Sequence, residues 1–295
     1  MENRLPDSFT DRLYRTAVQQ SPDWLWLFDA AGTPIGVSPA HNAGEPLYAK
    51  VFDGDLQGLQ NACQVLLQQS QSFVMMFRIF LPDGKLLWLE AKGYPLNHDG
   101  ACGQAALSAK DISSYKQQEE RLTRLAYHDA LTGLPNRRLF HDRFTQALHI
   151  ARRYHHKLAL LYLDLDDFKR INDTYGHAIG DELLATAASR LSHSIREPDT
   201  ICRMGGDEFV VLLQQFELRE DVAKIGRRIA EVLSQPFELS GQQIAITSSI
   251  GAAFYPEDAP DADSLLQCAD IAMYASKQQG KNDFQFYTQP KGGSA

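Results

Sequence analysis

The chain has 295 residues, enough for roughly two domains of ordinary size. Apolar residues make up 44% and charged residues 22%, as in globular proteins generally. No apolar run approaches the ~18 residues of a membrane helix, and the opening MENRLPDSFT lacks a signal core. A cytoplasmic location without membrane insertion is therefore expected. A net charge of −8 argues against a polymeric nucleic-acid partner, which needs a broad basic face. A nucleotide remains possible, because its phosphates need only local cations or a metal.

The first half reads as a small α+β domain. Trp24 to Phe28 is an apolar strand ending at the turn Asp29-Ala30-Ala31-Gly32. Asp55 to Gln69 carries Leu56, Leu59, Cys63, Leu66 and Leu67 at helical spacing. Phe73 to Leu81, the turn Pro82-Asp83-Gly84 and Leu86 to Leu89 read as a β-hairpin. A further strand is expected over Gln104 to Ala109. Ser113 to Tyr127 is polar with sparse apolar positions, and Ser114 is a candidate N-cap. Its spacing suits a plain linker helix or a short two-stranded coiled coil equally well.

From Asp129 onward helices and strands alternate, which predicts an α/β layer architecture. Helices are expected over Asn136–Arg153, Asp181–Ile195, Val222–Leu233 and Asp263–Lys277, and strands over Leu158–Leu165, Thr200–Met204, Phe209–Leu213 and Ile244–Tyr255. The four cysteines, Cys63, Cys102, Cys202 and Cys268, form no C-x-x-C pair and read as reduced thiols.

Two carboxylate clusters carry the chemistry. Asp164, Asp166 and Asp167 close an apolar strand, and Asp207 and Glu208 sit in a tight turn with Gly205 and Gly206. A hairpin turn lies at a sheet rim. If that hairpin neighbours the Leu158–Leu165 strand, Asp164 and Asp207 can face one another. Facing carboxylates repel unless a cation lies between them, and Mg²⁺, a hard ion taking one or two carboxylates plus substrate phosphates, suits such a pair. Solvated loop charges fit the same residues. Lys169 follows the first cluster, and Lys277 and Lys281, four apart, are expected on one helix face. They suit a triphosphate or simple solvent exposure. No G-x-x-x-x-G-K-[ST] occurs, so this is not a P-loop.

Four ordered segments then resemble one family. They are DALTGLPNRR at Asp129–Arg138, DLDDFKRINDTYGHAIGD at Asp164–Asp181, RMGGDEF at Arg203–Phe209 and ADIAMYASKQQGKN at Ala269–Asn282. Together they resemble the GGDEF family of diguanylate cyclases over about residues 124–287. The resemblance implies an adenylyl-cyclase-like βαββαβ fold acting as a homodimer, in which each domain holds one GTP and two GTP become cyclic di-GMP. It implies Mg²⁺, or Mn²⁺, on Asp164, Asp207 and the Leu165 carbonyl, and Asp207 as the base for the ribose 3′-OH. Glu208 would stand beside it as the family's second acid. Lys169, Lys277 and Lys281 would meet the phosphates. Asn172 and Asp181 would read the guanine, with Phe168, His177, Gly205 and Gly206 completing the substrate site. The family commonly has arginine where this chain has Lys281; lysine keeps the charge but loses the bidentate fork.

Arg196-Glu197-Pro198-Asp199 lies five residues before the Gly-Gly pair. At that spacing R-x-x-D resembles the family's product-inhibition site for cyclic di-GMP, with Arg227 a candidate secondary contact. Residues 10–113 resemble a PAS sensory domain, through SPDWLWLFDAAG, FLPDGKLLW and the Asp111-Ile112-Ser113 end. The implied organisation is a PAS-like domain at 10–113, a linker helix at 114–127 and a GGDEF domain at 128–288. The flavin motif NCRFLQ is absent, and only His41 and His98 offer haem ligands outside the central segment, so the PAS ligand is unknown. A catalytically silent GGDEF domain serving as a cyclic di-GMP receptor is the alternative, and a different nucleotidyl cyclase a further one. No length remains after residue 288 for a second catalytic domain, so a combined synthase and phosphodiesterase is not expected.

Overall fold

The computed structural model describes residues 23–28, 34–36, 47–81, 83–96, 105–196 and 198–289. Chain contacts divide it between Arg121 and Leu122 into two units. The Asp29–Gly32 turn, Pro82, Gln104, Cys102 and both histidines considered for haem, His41 and His98, lie outside the described residues. Among the described residues no helix is long and apolar enough to cross a membrane.

In the first unit, strands β1 (Trp24–Phe28), β2 (Pro34–Gly36), β3 (Phe73–Phe80), β4 (Leu86–Pro95) and β5 (Ala105–Asp111) form one sheet in the order β2-β1-β5-β4-β3. Every pairing is antiparallel. Alternation of buried and half-buried positions along β1 gives the sheet one covered face. Helix α1 (Asp53–Gln69) buries Leu59, Cys63 and Leu66 in the core that includes Phe77, Ile79, Leu89 and Leu107. Its first turn carries Asp55, which takes a bidentate ion pair from Arg78 on β3, 2.8 Å to each oxygen. The Arg78 guanidinium also lies 4.0 Å from the Phe52 ring centroid and 5.1 Å from that of Trp88.

Helix α2 covers Ser113–Tyr127. It starts one residue before the expected cap at Ser114, because the Asp111 carboxylate accepts the Ser113 N–H and Ser113 Oγ accepts the Trp88 N–H. Tyr115, Leu122 and Leu125 stay exposed along it, seven and three residues apart.

The second unit is built around β6 (Leu158–Leu165), buried along almost its whole length. The continuous apolar run reflects cover on both faces. Leu161, Leu163 and Leu165 enter one core and Leu158 and Leu160 the other. Strands β7 (Thr200–Gly205), β8 (Glu208–Gln214), β11 (Ser248–Tyr255) and β12 (Phe284–Phe286) complete the order β12-β11-β6-β8-β7. Only the β11–β12 pairing is parallel. Helices α3 (Arg137–Tyr154) and α7 (Ala262–Gln278) supply one core. On the other side, α4 (Phe168–Tyr175), α5 (His177–His193) and α6 (Arg219–Ser234) supply the second. Gly251 lets α7 lie directly on β11, since a Cβ there would run into the backbone of Ala269 and Met273.

The helix expected over Asp181–Ile195 begins earlier, at His177, and α4 precedes it, separated by Gly176 with φ 85°. The single strand expected over Ile244–Tyr255 is two. A small hairpin of β9 (Phe237–Leu239) and β10 (Gln242–Ile244) is followed by a break before β11. Cys63, Cys202 and Cys268 are free thiols.

Candidate active site

The acid clusters meet at the rim formed by the end of β6 and the β7–β8 turn. Strand β6 pairs with β8 so that Asp164 stands opposite Glu208. The Leu165 N–H donates to the Asp207 carbonyl at 3.3 Å. Gly206, at φ 55°, supplies the left-handed step of the turn, a conformation costly for a side-chain-bearing residue. Two contacts brace this turn. Arg203 donates to the Gly206 carbonyl at 3.0 and 2.8 Å and pairs with Asp129 at 2.9 Å. Burial alone would raise the Asp129 carboxyl, yet hydrogen bonds from Thr132 and Arg203 outweigh it and hold the group below its ordinary value. The Tyr162 hydroxyl, two residues before Asp164, donates to Glu208 Oε2 at 3.1 Å.

Asp164 is 7% exposed. Its carboxyl is pushed up to about 6 by burial first, opposed by the Lys277 hydrogen bond and reinforced by the charges of Asp207 and Glu208. Lys277 Nζ lies 2.7 Å from Asp164 Oδ1. Lys281 Nζ lies 2.7 Å from Asp167 Oδ1, and that contact lowers the Asp167 carboxyl and raises the Lys281 ammonium. The two lysines do not share a helix face. Helix α7 ends at Gln278, and Lys281 sits beyond it in a turn with φ 63°. They converge because the turn folds back on the strand end.

Asp166 departs from its cluster. Its buried carboxylate accepts hydrogen bonds from Thr247 Oγ1 at 2.6 Å, Ser249 Oγ at 2.7 Å and the Asn282 N–H at 3.2 Å. It belongs to the β6–β11 seam rather than to the Asp164–Asp207 rim. A strand's alternation has already turned into the α4 entry at this point, where Asp167 takes φ 59°.

Among the described residues no group of three or more His, Cys, Asp or Glu side chains is arranged to hold a metal. The rim instead offers the Asp164 carboxylate, with the charges of Asp207 and Glu208 beside it. These acids fit a hard cation that completes its shell with water and phosphate oxygens. A buried acid with two further acids nearby is stabilised by added positive charge, which a single lysine supplies incompletely.

On α4 and α5 the remaining predicted residues come together in part. The side chain of Asn172 lies against Gly180, where a Cβ would collide with Asn172 Oδ1. That puts it one residue from Asp181. Phe168 is buried, and His177 opens α5. Lys169 has no ion-pair partner among the described residues.

Arg196 and Asp199 lie apart from this rim, on a cavity of about 510 Å³ whose other linings include Asp221, Lys224, Ile225 and Arg228. The Asp199 carboxyl is raised by burial, against hydrogen bonds from the Gln214 and Arg196 backbones and the Arg196 charge. Arg227 is absent from this lining. The α6 arginine that reaches it is Arg228, one residue and about 100° further round the helix. Glu197 lies outside the described residues. The bracing roles of Asp129, Arg203 and Tyr162 were missed. Asp129 and Arg203 lie in the quoted motifs, but only the fold pairs them; Tyr162 was legible as the residue two before Asp164 on the same strand face.

Residues 126–283 match the family model for the diguanylate cyclase GGDEF domain. Over 175 residues the chain is 43% identical to the bifunctional diguanylate cyclase/cyclic di-GMP phosphodiesterase MucR of Pseudomonas aeruginosa, a match covering 59% of this chain and 25% of MucR. It is 41% identical over 167 residues to the diguanylate cyclase TpbB of the same organism, covering 56% of this chain and 38% of TpbB. The chain thus spans well under half the length of these relatives. Among solved structures, the coiled coil and GGDEF domain of DgcB from Caulobacter crescentus, in complex with c-di-GMP, superposes with a TM-score of 0.54 at 30% identity. That match covers 59% of this chain and 93% of the DgcB chain.

Proposed function

Because the chain belongs to the GGDEF diguanylate cyclase family, we propose that it condenses two GTP into cyclic di-GMP, releasing two pyrophosphates. The observation that carries this reading is Asp164: a buried acid pushed up to about 6, facing Asp207 and Glu208 across paired strands, with Lys277 at 2.7 Å. Asp164, Asp207 and the Leu165 carbonyl would hold Mg²⁺ or Mn²⁺. When bound, the cation supplies charge stabilisation to the reacting phosphoryl group.

The chain's own residues do the rest. Asp207, at the turn tip, accepts the proton of the ribose 3′-OH. Glu208, fixed by Tyr162, keeps the rim negative and cation-seeking. Lys277 and Lys281 exchange their carboxylate partners for phosphate oxygens, and Lys169, with no ion-pair partner among the described residues, meets charge developing on the triphosphate. Asn172 and Asp181 read the guanine edge between α4 and α5, with Phe168 and His177 framing the pocket. Gly205 and Gly206 let the nucleotide approach the backbone. Each unit of this kind holds one GTP, so the reaction needs a homodimer.

Two regulatory elements accompany this reading. Arg196 and Asp199, with Arg228 in the place expected for Arg227, form a product-inhibition site for cyclic di-GMP. The sheet order β2-β1-β5-β4-β3, with α1 following β2, supports a PAS-like sensor in the first unit. Its ligand is unidentified; α2, with its exposed Tyr115, Leu122 and Leu125, would carry the signal. The separate cavity at Arg196 also suits a receptor without turnover. The test is incubation of purified protein with GTP and Mg²⁺, with Asp207→Ala alongside and nucleotides identified by chromatography and mass. Cyclic di-GMP from the wild type and none from the variant is expected. Tight cyclic di-GMP binding with no turnover, after bound nucleotide is stripped, would establish the receptor instead.

A further inference from the structure

Lys281 and Asn282 are consecutive non-glycine residues with φ of 63° and 51°. Single left-handed residues are uncommon and two in a row more so, so something must hold them. The Lys281 N–H donates to the Ser276 carbonyl at 3.2 Å, which continues the end of α7. The Asn282 N–H has a different partner: the Asp166 carboxylate, 116 residues away in sequence. That carboxylate is 3% exposed and is itself fixed by the Thr247 and Ser249 hydroxyls. The adjacent Asp167 takes the Lys281 ammonium. Two neighbouring acids therefore grip the turn, one by its backbone and one by its charge.

We infer that Asp166 is a positioning residue for the triphosphate arm: its carboxylate locks the Lys281–Asn282 turn and so sets where the Lys281 ammonium stands. This rests on the reading above that Lys281 meets GTP phosphates. Asp166 has three hydrogen-bond donors on its two oxygens, none of them from Asp164 or from the turn of Gly205 and Gly206 among the described residues, so it acts through Lys281 and not on the reacting atoms. An arm held in one conformation loses little freedom on binding phosphate, whereas a released turn would have to be ordered by the ligand.

The test is calorimetric binding of a non-hydrolysable GTP analogue and of guanosine to the full chain. Asp166→Asn keeps the shape but removes the negative charge that strengthens the hydrogen bond from the Asn282 N–H. It should weaken the analogue about tenfold and leave guanosine within about twofold. Lys281→Ala should do the same. The double variant should be no weaker than about the worse single one, because both remove one interaction. If Asp166→Asn does not fold, Ser249→Ala, which frees one carboxylate oxygen, carries the same cycle with a loss of about threefold. Equal loss for guanosine and analogue, or single effects that multiply in the double variant, would overturn the inference and leave the cyclase reading standing. A wild-type protein that binds neither the analogue nor GTP would overturn both.

Discussion

Asp55 in the first unit and Asp164 in the second each face one basic side chain, at 2.8 and 2.7 Å, and their carboxyls move in opposite directions. At Asp55 the Arg78 hydrogen bonds dominate and hold the carboxyl below its ordinary value. At Asp164 burial dominates, two further acids add to it, and the carboxyl rises to about 6 despite Lys277. Asp55 sits in the first turn of α1, takes a bidentate fork from Arg78 and has no acid among the groups that shift it. Asp164 takes a point charge at a strand end crowded by Asp207 and Glu208. The contrast shows that a salt bridge alone does not reveal what a carboxylate is for. At Asp164 the single lysine leaves burial and acid repulsion uncompensated, whereas at Asp55 the Arg78 fork outweighs burial.

The contrast would break most clearly at Asp164→Asn. Cyclic di-GMP formation should fall roughly a hundred- to a thousandfold. Thermal unfolding without divalent cation should be unchanged or shifted upward, since a buried charge among acids is removed; nucleotide chromatography and calorimetry read the two effects. A clear loss of stability would mean that Asp164 is a tie like Asp55. Arg196 sharpens the contrast next, because Asp199 is another acid raised by burial beside a cation and a cavity. Arg196→Ala and Arg228→Ala should each raise the cyclic di-GMP concentration for half-inhibition about tenfold, with initial rates intact; Arg227→Ala should not.

The smallest effect is expected at Asp55→Asn, with turnover retained. At pH 7 the first unfolding transition should fall by about 5 °C. A depressed native pKa means that the unfolded chain binds more protons as pH falls below 3.8, so this contribution is present above that value and is lost as pH falls through the lower folded value. Wild type and variant should therefore converge in acid. Asp164 has the opposite sign: between 3.8 and about 6 the native state holds the extra proton, so its contribution falls as pH rises through that window. Added Mg²⁺ should offset this in the wild type and not in Asp164→Asn.

Local patterns made much of the framework legible. β1, β6 and α2 run over the residues expected from their apolar spacing. Misses fell where local and tertiary signals conflict. The segment from Ile244 to Tyr255 is apolar on both sides of Thr247-Ser248-Ser249, but Thr247 and Ser249 turn to Asp166 and β11 begins only at Ser248. The step from α4 to α5 depends on one glycine at φ 85°, which the helical spacing conceals. Lys277 and Lys281 look like helix neighbours because they are four positions apart, whereas α7 stops between them.

By itself the sequence determined which residue types were available: the strand-end acids, the Gly-Gly turn, the lysines near the C-terminal helix and the R-x-x-D run. Their types and order follow from covalent chemistry and short-range periodicity, which any reading of the chain can use. Only the tertiary structure decided which acid faces which. Registering β6 against β8 put Asp164 opposite Glu208, and closing β11 on β6 drew Asp166 out of the rim and onto the Asn282 backbone. Pairing register and burial join residues far apart in sequence, and the charge state of a carboxylate is set by the groups those contacts bring beside it.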